Sequence, residues 1–495
     1  MGEAGDTSAA TGEAVALTDL GAVRGVPLGG GAAAFRGVPF AAPPVGDLRW
    51  REAQAASGWS GVRDATSFGP MCPQRAAPGE QPQPQSEDCL TLNIVTPDVG
   101  AKGLPVLFSI HGGAFFVGSG RYIADKDLSP IVRRGVVLVA PNYRLGRLGF
   151  MAHPALTAEA GRGTGNFWLT DQLAALKWVR RNIAQFGGDP ENVTILGCSA
   201  GGSSVNTMLV SEQALGLFAK AASHSGGGMF NAARSLALAE KQGIAFAQRV
   251  GIANDDPDVL NKLRSLSTEQ VLAGDSGAPD FGAIIDGHYI ERPIAVGFAE
   301  GRRAAVPLII GSTSNEASVF GMMGFDAATM KARFGIDVAE IRPVYEDAGT
   351  LADGELLRRV QTDFLFTAAS QGLASLAART GPTWAYHFDY VPAAQRTTKP
   401  GASHCADMPY IFTDDARRTP EDSAVAELQQ SYWYNFIAQG DPNHVGAMNW
   451  PTVMPGRVTS LVMGEQPEMV TALHRRRLAY WHDRWAIETG ATVKP

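Results

Sequence analysis

The chain has 495 residues, 45% of them apolar and 18% charged, the balance of an ordinary globular protein with a large core. A net charge of −7 and a pI near 5.8, with no Lys/Arg face evident, argue against a nucleic-acid partner. The longest apolar runs are strand-length, the amino end lacks the basic and apolar parts of a leader, and four cysteines in so long a chain are not a disulfide framework; the expectation is a cytoplasmic protein with no membrane partner.

Residues 1–12 are small and acidic without periodicity and are expected to form a disordered tail, leaving 13–495 as one domain. Ala14–Leu17 and Gly21–Val26 predict a hairpin, and Phe35–Phe40 another short strand. Cys72 and Cys89 bracket a polar Pro/Gln-rich loop that a bridge could close in an oxidising compartment. Leu90–Val95 alternates, while Pro105–Ile110 and Val136–Ala140 are the continuous apolar runs of strands buried on both faces. Leu169–Phe186 has helical period, and Val193–Leu196 predicts the next buried strand. Phe218–Gly226, Val306–Ile310 and Thr383–Tyr390 follow as strands. Helix-rich blocks at about 230–300 and 325–380 fall between strands, and helices at about 421–438 and 468–486 close the chain. Alternating strands and helices predict an α/β fold: a large, mostly parallel central sheet flanked by helices, with helical insertions over the edge where such sheets bind ligands.

The chemistry starts at Gly197-Cys198-Ser199-Ala200-Gly201, a G-x-S-x-G between a predicted strand and small residues suited to starting a helix. That pattern lifts a serine hydroxyl above a sheet on a sharp turn, with the Ala200 N–H at a helix N-terminus facing the same space. His111-Gly-Gly-Ala-Phe115 follows the strand 105–110 and matches a glycine-rich oxyanion loop, so the N–H groups of Gly112 and Gly113 are further candidates. A serine needs a base and an orienting acid. Of the nine histidines, His404 lies on a loop after the last predicted strand, where such a base is required. His474 and His482 are expected to face solvent, His153, His288 and His444 to sit in surface loops, and His387 and His224 to be held in strands. The acid is open among Asp286, Glu316, Asp363 and Asp389; Glu316, just past the strand 306–310, is best placed. Asp286 sits in an Asp-Gly turn and is expected to shape the backbone there.

These stretches resemble the type-B carboxylesterases, the cholinesterase-like branch of the α/β-hydrolases. The matching segments include Phe35-Arg-Gly-Val-Pro-Phe40, Ser86-Glu-Asp-Cys-Leu-Thr-Leu-Asn-Ile94, Asn142-Tyr-Arg-Leu-Gly146, Gly165-Asn-Phe-Trp-Leu-Thr-Asp-Gln172, the elbow, Ser314-Asn-Glu316, Gly401-Ala-Ser-His404 and Gly440-Asp-Pro-Asn443, in family order over nearly the whole chain. The resemblance implies a metal-free, cofactor-free serine esterase with Ser199 as nucleophile, Glu316 as acid and His404 as base. It further implies an oxyanion hole of Gly112, Gly113 and Ala200, a Cys72–Cys89 bridge, and salt bridges Arg49–Glu87 and Arg144–Asp171. The expected substrate is a small aryl or alkyl ester, with carbamates or amides as the alternative, and the expected assembly is a monomer or small homo-oligomer. A non-catalytic binding relative is the rival of another class, disfavoured by the complete set Ser199, Glu316 and His404. Phe115, Phe116, Phe320, Met322, Met323, Phe325 and Phe364 are candidates for an apolar pocket.

Three positions depart from the family pattern. Cys198 stands where Glu is usual before the nucleophile, Ala317 follows Glu316 where Gly is usual, and Cys405 follows the histidine. Cys198 and Cys405 read first as two small buried thiols, and alternatively as a pair beside the triad. A pocket without that Glu, and a Cys72–Cys89 loop without an aromatic residue, are poorly suited to acetylcholine.

Overall fold

The run Leu104–Ile110 shows why the middle of this sheet is apolar without alternation. Val106, Phe108 and Ile110 join one core cluster while Leu107 joins another on the opposite face, so both sides of the strand leave water. The computed structural model describes residues 13–75, 83–126, 128–227, 233–275, 281–321, 324–345 and 350–491. The stretch 1–12, expected to be a tail, lies outside the described residues.

In chain order the strands are β1 (Val15–Thr18), β2 (Gly21–Arg24), β3 (Val26–Gly29), β4 (Ala32–Pro39), β5 (Val62–Asp64), β6 (Thr91–Thr96), β7 (Leu104–Ile110) and β8 (Val137–Pro141). Then come β9 (Gly188–Cys198), β10 (Lys220–His224), β11 (Arg234–Ser235), β12 (Ile284–Ile285), β13 (Leu308–Thr313), β14 (Thr383–Phe388), β15 (Thr459–Met463) and β16 (Glu468–Thr471). Eleven of them form the main sheet in the order β16-β15-β14-β13-β10-β9-β7-β8-β6-β4-β3. From β15 through β14, β13, β10, β9 and β7 to β8 every neighbour is parallel; β16 at one end and β6, β4 and β3 at the other are antiparallel. The sheet is therefore mixed, with its parallel stretch in the middle. β1 pairs antiparallel with β2 as the expected hairpin, and β5 adds a parallel third strand.

Helices cover both faces. Phe167–Asn182 buries Trp168 and Trp178, Ala200–Val210 buries Val205, Met208 and Leu209, and Arg475–Thr489 buries Trp481 and Trp485, all in one cluster; Pro420–Gln439 buries Tyr432, Trp433 and Phe436 in the other. The predicted helical blocks contain helices at Leu236–Arg249, Val259–Arg264, Thr268–Gly274 and Ile294–Ala299, and at Ala327–Phe334, Val338–Ile341, Asp353–Thr362 and Ala368–Ala377. No helix among the described residues is long and apolar enough to cross a membrane.

Three expectations need correction. The predicted helix 468–486 is strand β16 followed by a helix at Arg475–Thr489, because Val470 and Met469 pair across to β15 before the chain turns at Ala472 and His474 in left-handed conformations. The strand β15 itself was not expected, so β14 is not the last strand of the sheet. His153 is buried, not a surface residue: it precedes Pro154 and its Nδ1 accepts from Ala155 N–H at 3.2 Å, capping a helix.

Candidate active site

The C-terminal ends of β7, β9, β13 and β14, near neighbours in one parallel block, each lead into a site segment. The first is His111–Gly118, beyond β7. Gly113 has φ +111°, and a Cβ there would sit 2.0 Å from the Val117 carbonyl oxygen, so the turn excludes every larger residue. The turn closes as the Phe116 and Val117 N–H groups donate to Gly113 O, both at 3.0 Å. Gln74 clamps its far end, donating to Gly118 O at 2.9 Å and accepting from Gly118 N–H at 2.7 Å. The Tyr143 hydroxyl donates to His111 O at 2.9 Å and its ring stacks on His111, whose burial holds the imidazole down at about 4 and hence neutral.

The second segment is the elbow. Ser199 has φ 60° and ψ −123°, a conformation costly for a residue with a Cβ and one that recurs where a side chain must be presented. It is held by Ser199 N–H donating to His224 O at 2.9 Å and Ser203 N–H donating to Ser199 O at 2.8 Å. The flanking glycines are forced: a Cβ on Gly197 would meet Gly201 at 2.4 Å, and one on Gly201 would meet Ile110 O at 2.2 Å. Gly112 lies directly against the serine, since its Cβ would be 3.2 Å from Ser199 Cβ. Ala200 opens the helix Ala200–Val210, so its N–H has no carbonyl a turn earlier to donate to. The structure thus brings Gly112, Gly113 and Ala200 around Ser199.

The third and fourth segments carry Glu316 and His404. Glu316 is fully buried; Oε1 accepts from Thr313 N–H at 2.7 Å, and Oε2 is bonded to His404 Nδ1. The His404 N–H donates to Ser318 Oγ at 2.8 Å. The opposite ring nitrogen, Nε2, is buried and makes no hydrogen bond. A carboxylate on Nδ1 keeps the proton there, which leaves the Nε2 lone pair free to accept one. His404 and Ser199 are the neighbours of Cys405 and Cys198, and these cysteines form a disulfide with their Cα atoms 6.1 Å apart. The reading of two separate buried thiols is therefore corrected: β9 and the histidine loop approach closely enough to bridge.

Cys72 and Cys89 also form a disulfide, with Cα atoms 5.0 Å apart. It borders the glycine loop, for Gln74 donates to Cys72 O at 3.0 Å and Asn142 donates to Cys89 O at 3.2 Å. Arg49 pairs with Glu87, and Arg144 binds Asp171 through Nε at 2.8 Å and Nη2 at 2.7 Å, both pairs being buried.

The pocket candidates divide. Phe115 is buried against Phe150 and Trp168, and Phe364 against Phe334 and Trp481, so both are core residues. Met322 and Met323 lie outside the described residues. Phe116 is half-buried on the glycine loop. Phe320 and Phe325 pack on each other with tilted rings and line a cavity of about 520 Å³ beside the Glu316 segment, with Ser318, Asp326 and Arg358; neither Ser199 nor His404 lines it. The aromatic ring packed on His404 is Phe366, 5.0 Å from the His404 ring and 5.9 Å from Phe320. Sequence reasoning missed it because Asp363–Thr367 is a π-helical turn, which shifts the face that follows. Gln74 was missed as well, and nothing in its local sequence marks it. Asp286 does shape its turn, accepting from the N–H groups of His288, Tyr289 and Ile290. Asp363 is bonded to Tyr345 and Arg477, away from His404, and Asp389 is exposed.

Comparison with known proteins follows the same lines. A family model described as the carboxylesterase family matches residues 12–481. The chain is 34% identical to a para-nitrobenzyl esterase of Bacillus subtilis (strain 168), over 88% of this chain and 92% of that protein. It is 33% identical to a fumonisin B1 esterase of Sphingopyxis macrogoltabida, over 88% of this chain and 83% of that one. Among solved structures, a thermophilic PNB esterase superposes with a TM-score of 0.82 at 30% identity, covering 94% of this chain and 99% of the other.

Proposed function

The chain belongs to the carboxylesterase family and is a serine ester hydrolase, and from that premise we propose that Ser199, His404 and Glu316 carry its reaction, with the N–H groups of Gly112, Gly113 and Ala200 as oxyanion donors. Ser199 Oγ attacks the ester carbonyl while His404 Nε2 takes its proton. The carbonyl oxygen becomes an oxyanion and receives the three N–H groups, whose directions are fixed before substrate arrives. Glu316 balances the imidazolium. His404 then gives the proton to the departing alcohol, and water releases the acyl group by the same steps in reverse. The observation that carries this reading is His404 held on Glu316 through Nδ1 while Nε2 stays buried and unbonded beside the elbow.

The substrate is proposed to be an aryl or alkyl ester with an apolar acyl or alcohol part. Phe366 and Phe116 supply apolar surface near the base and the oxyanion loop, and no acidic side chain precedes the nucleophile to attract a cation. Residues 13–495 are taken as a single domain, working as a monomer or small homo-oligomer. The test is hydrolysis of chromogenic acetate, butyrate and para-nitrobenzyl esters by the wild type and by Ser199→Ala. The proposal expects turnover to disappear in the variant; equal rates would sink it.

A further inference from the structure

Two braced units meet at this site, and both are tied to His224, whose backbone O accepts from Ser199 N–H and whose ring bonds Asp407. His404 and Glu316 share one. Asn315 and Ser403 pair along their backbones, Ala402 N–H donates to Ser314 Oγ at 2.9 Å, and His404 N–H donates to Ser318 Oγ. Asp407 anchors the far end of the histidine loop on His224 Nδ1 at 2.6 Å and on the Tyr386 hydroxyl at 2.7 Å. The elbow and the glycine loop form the other unit, in which Gly112 and Gly201 leave no room for a Cβ between them. The loop's hydrogen bonds run to the acid segment, to Tyr386 and to His224, and so reach the elbow only through His224. The bond from Cys405 to Cys198 runs to the elbow itself and closes a separation of 207 residues.

Its ends are the residue before the nucleophile and the residue after the base. Cys405 sits at φ +59°, a left-handed conformation that a residue with a Cβ keeps only under restraint. It is also half-buried, whereas Cys72 and Cys89 are 1% and 0% exposed, so the two disulfides differ in access to a small reagent.

Resting on the triad proposed above, we infer that the Cys198–Cys405 disulfide is a positioning crosslink for ester hydrolysis, keeping the base in register with the nucleophile, and that a dithiol reductant opens it and slows the enzyme. A thiolate of the dithiol attacks Cys405 Sγ and the S–S bond breaks, with Cys198 leaving as a thiolate that takes up a proton. The second thiol of the reagent then displaces Cys405, so the dithiol is oxidised to a cyclic disulfide and the protein gains two thiols. Cys198 and Cys405 touch no substrate; they act through Ser199 and His404. The remaining ties keep the loop folded, so the loss is one of alignment. A displacement of about 1 Å at a reacting atom costs on the order of 10²-fold in rate, and kcat is expected to fall roughly 10- to 100-fold with a smaller change in KM.

The experiment treats the full chain with dithiothreitol, maps the opened cysteines by alkylation and mass spectrometry, and follows kcat and KM for a chromogenic butyrate ester. Label on Cys198 and Cys405 ahead of Cys72 and Cys89, a fall in kcat, and recovery on re-oxidation before alkylation support the inference. The double variant Cys198→Ser/Cys405→Ser is expected to have the lowered kcat from the start and to ignore the reductant. It also decides the matter should the wild-type bond resist reduction. Free thiols at both positions in the protein as purified in air, or a reduced enzyme within twofold of the oxidised kcat, overturn it. An oxidised wild type without esterase activity counts against the proposed function instead.

Discussion

The geometry of the glycine loop makes Gly113→Ala the sharpest single substitution. Its methyl would lie 2.0 Å from Val117 O and 2.7 Å from Val117 C, where carbon atoms in contact keep about 3.5–4.0 Å. A shift of roughly 1 Å is therefore needed. The backbone must also hold φ +111° with a side chain present. The loop cannot yield at its far side, because Gln74 grips both polar groups of Gly118 and the Phe116 and Val117 N–H groups bind Gly113 O. The displacement then falls on the Gly113 N–H. Loss of one oxyanion donor costs about 10²–10³ in kcat, or ~2.7–4 kcal/mol of barrier. The assay is kcat and KM for a butyrate ester, with active sites counted by phosphonate titration so that misfolded protein is not scored as slow enzyme. Gly354→Ala, where a Cβ meets nothing within 4 Å, is the control and keeps wild-type kcat. A Gly113→Ala enzyme with a full titre and kcat within threefold of wild type would mean that the Gly113 N–H is not an oxyanion donor.

Other substitutions probe the supports of the site. Glu316→Gln keeps the acceptor for Thr313 N–H but turns an amide N–H toward His404 Nδ1, which favours the tautomer with Nε2 protonated; kcat is expected to fall about 10⁴-fold with circular dichroism unchanged. Asp171→Asn leaves the buried Arg144 guanidinium without its counter-charge, and urea unfolding should show a loss of about 3–5 kcal/mol. Burial raises the Asp363 carboxyl from 3.8 to about 6, outweighing the nearby Arg477. The native state thus holds that proton more tightly than the unfolded chain. The associated stability is present below pH 3.8 and lost as pH rises to about 6, so wild type should lose stability relative to Asp363→Asn across that window, by about 3 kcal/mol at 1.36 kcal/mol per unit. Parallel unfolding curves of the two proteins from pH 3.5 to 7 check the sign.

What the sequence makes legible is what local sterics dictate. The elbow can be read because Gly197 and Gly201 face backbone atoms at contact distance, and His111-Gly-Gly because Gly113 adopts a conformation closed to other residues. The central strands are plain because both faces are buried. Legibility ends where the outcome depends on distant partners. Cys198 and Cys405 meet only because β9 and the loop after β14 end at the same edge. The choice between Phe364 and Phe366 turns on a π-helical turn that helical periodicity does not reveal. β16 reads as part of the following helix because four residues are too few to show a period against the charged helix beyond them.

Covalent trapping of the Ser199 hydroxyl decides whether it is the nucleophile. Incubation with a fluorophosphonate followed by peptide mapping should place one adduct per chain on Ser199, with label and lost activity rising together one to one. An enzyme that loses its activity with the label on another residue, or that carries a full label on Ser199 and still turns over ester, would contradict it.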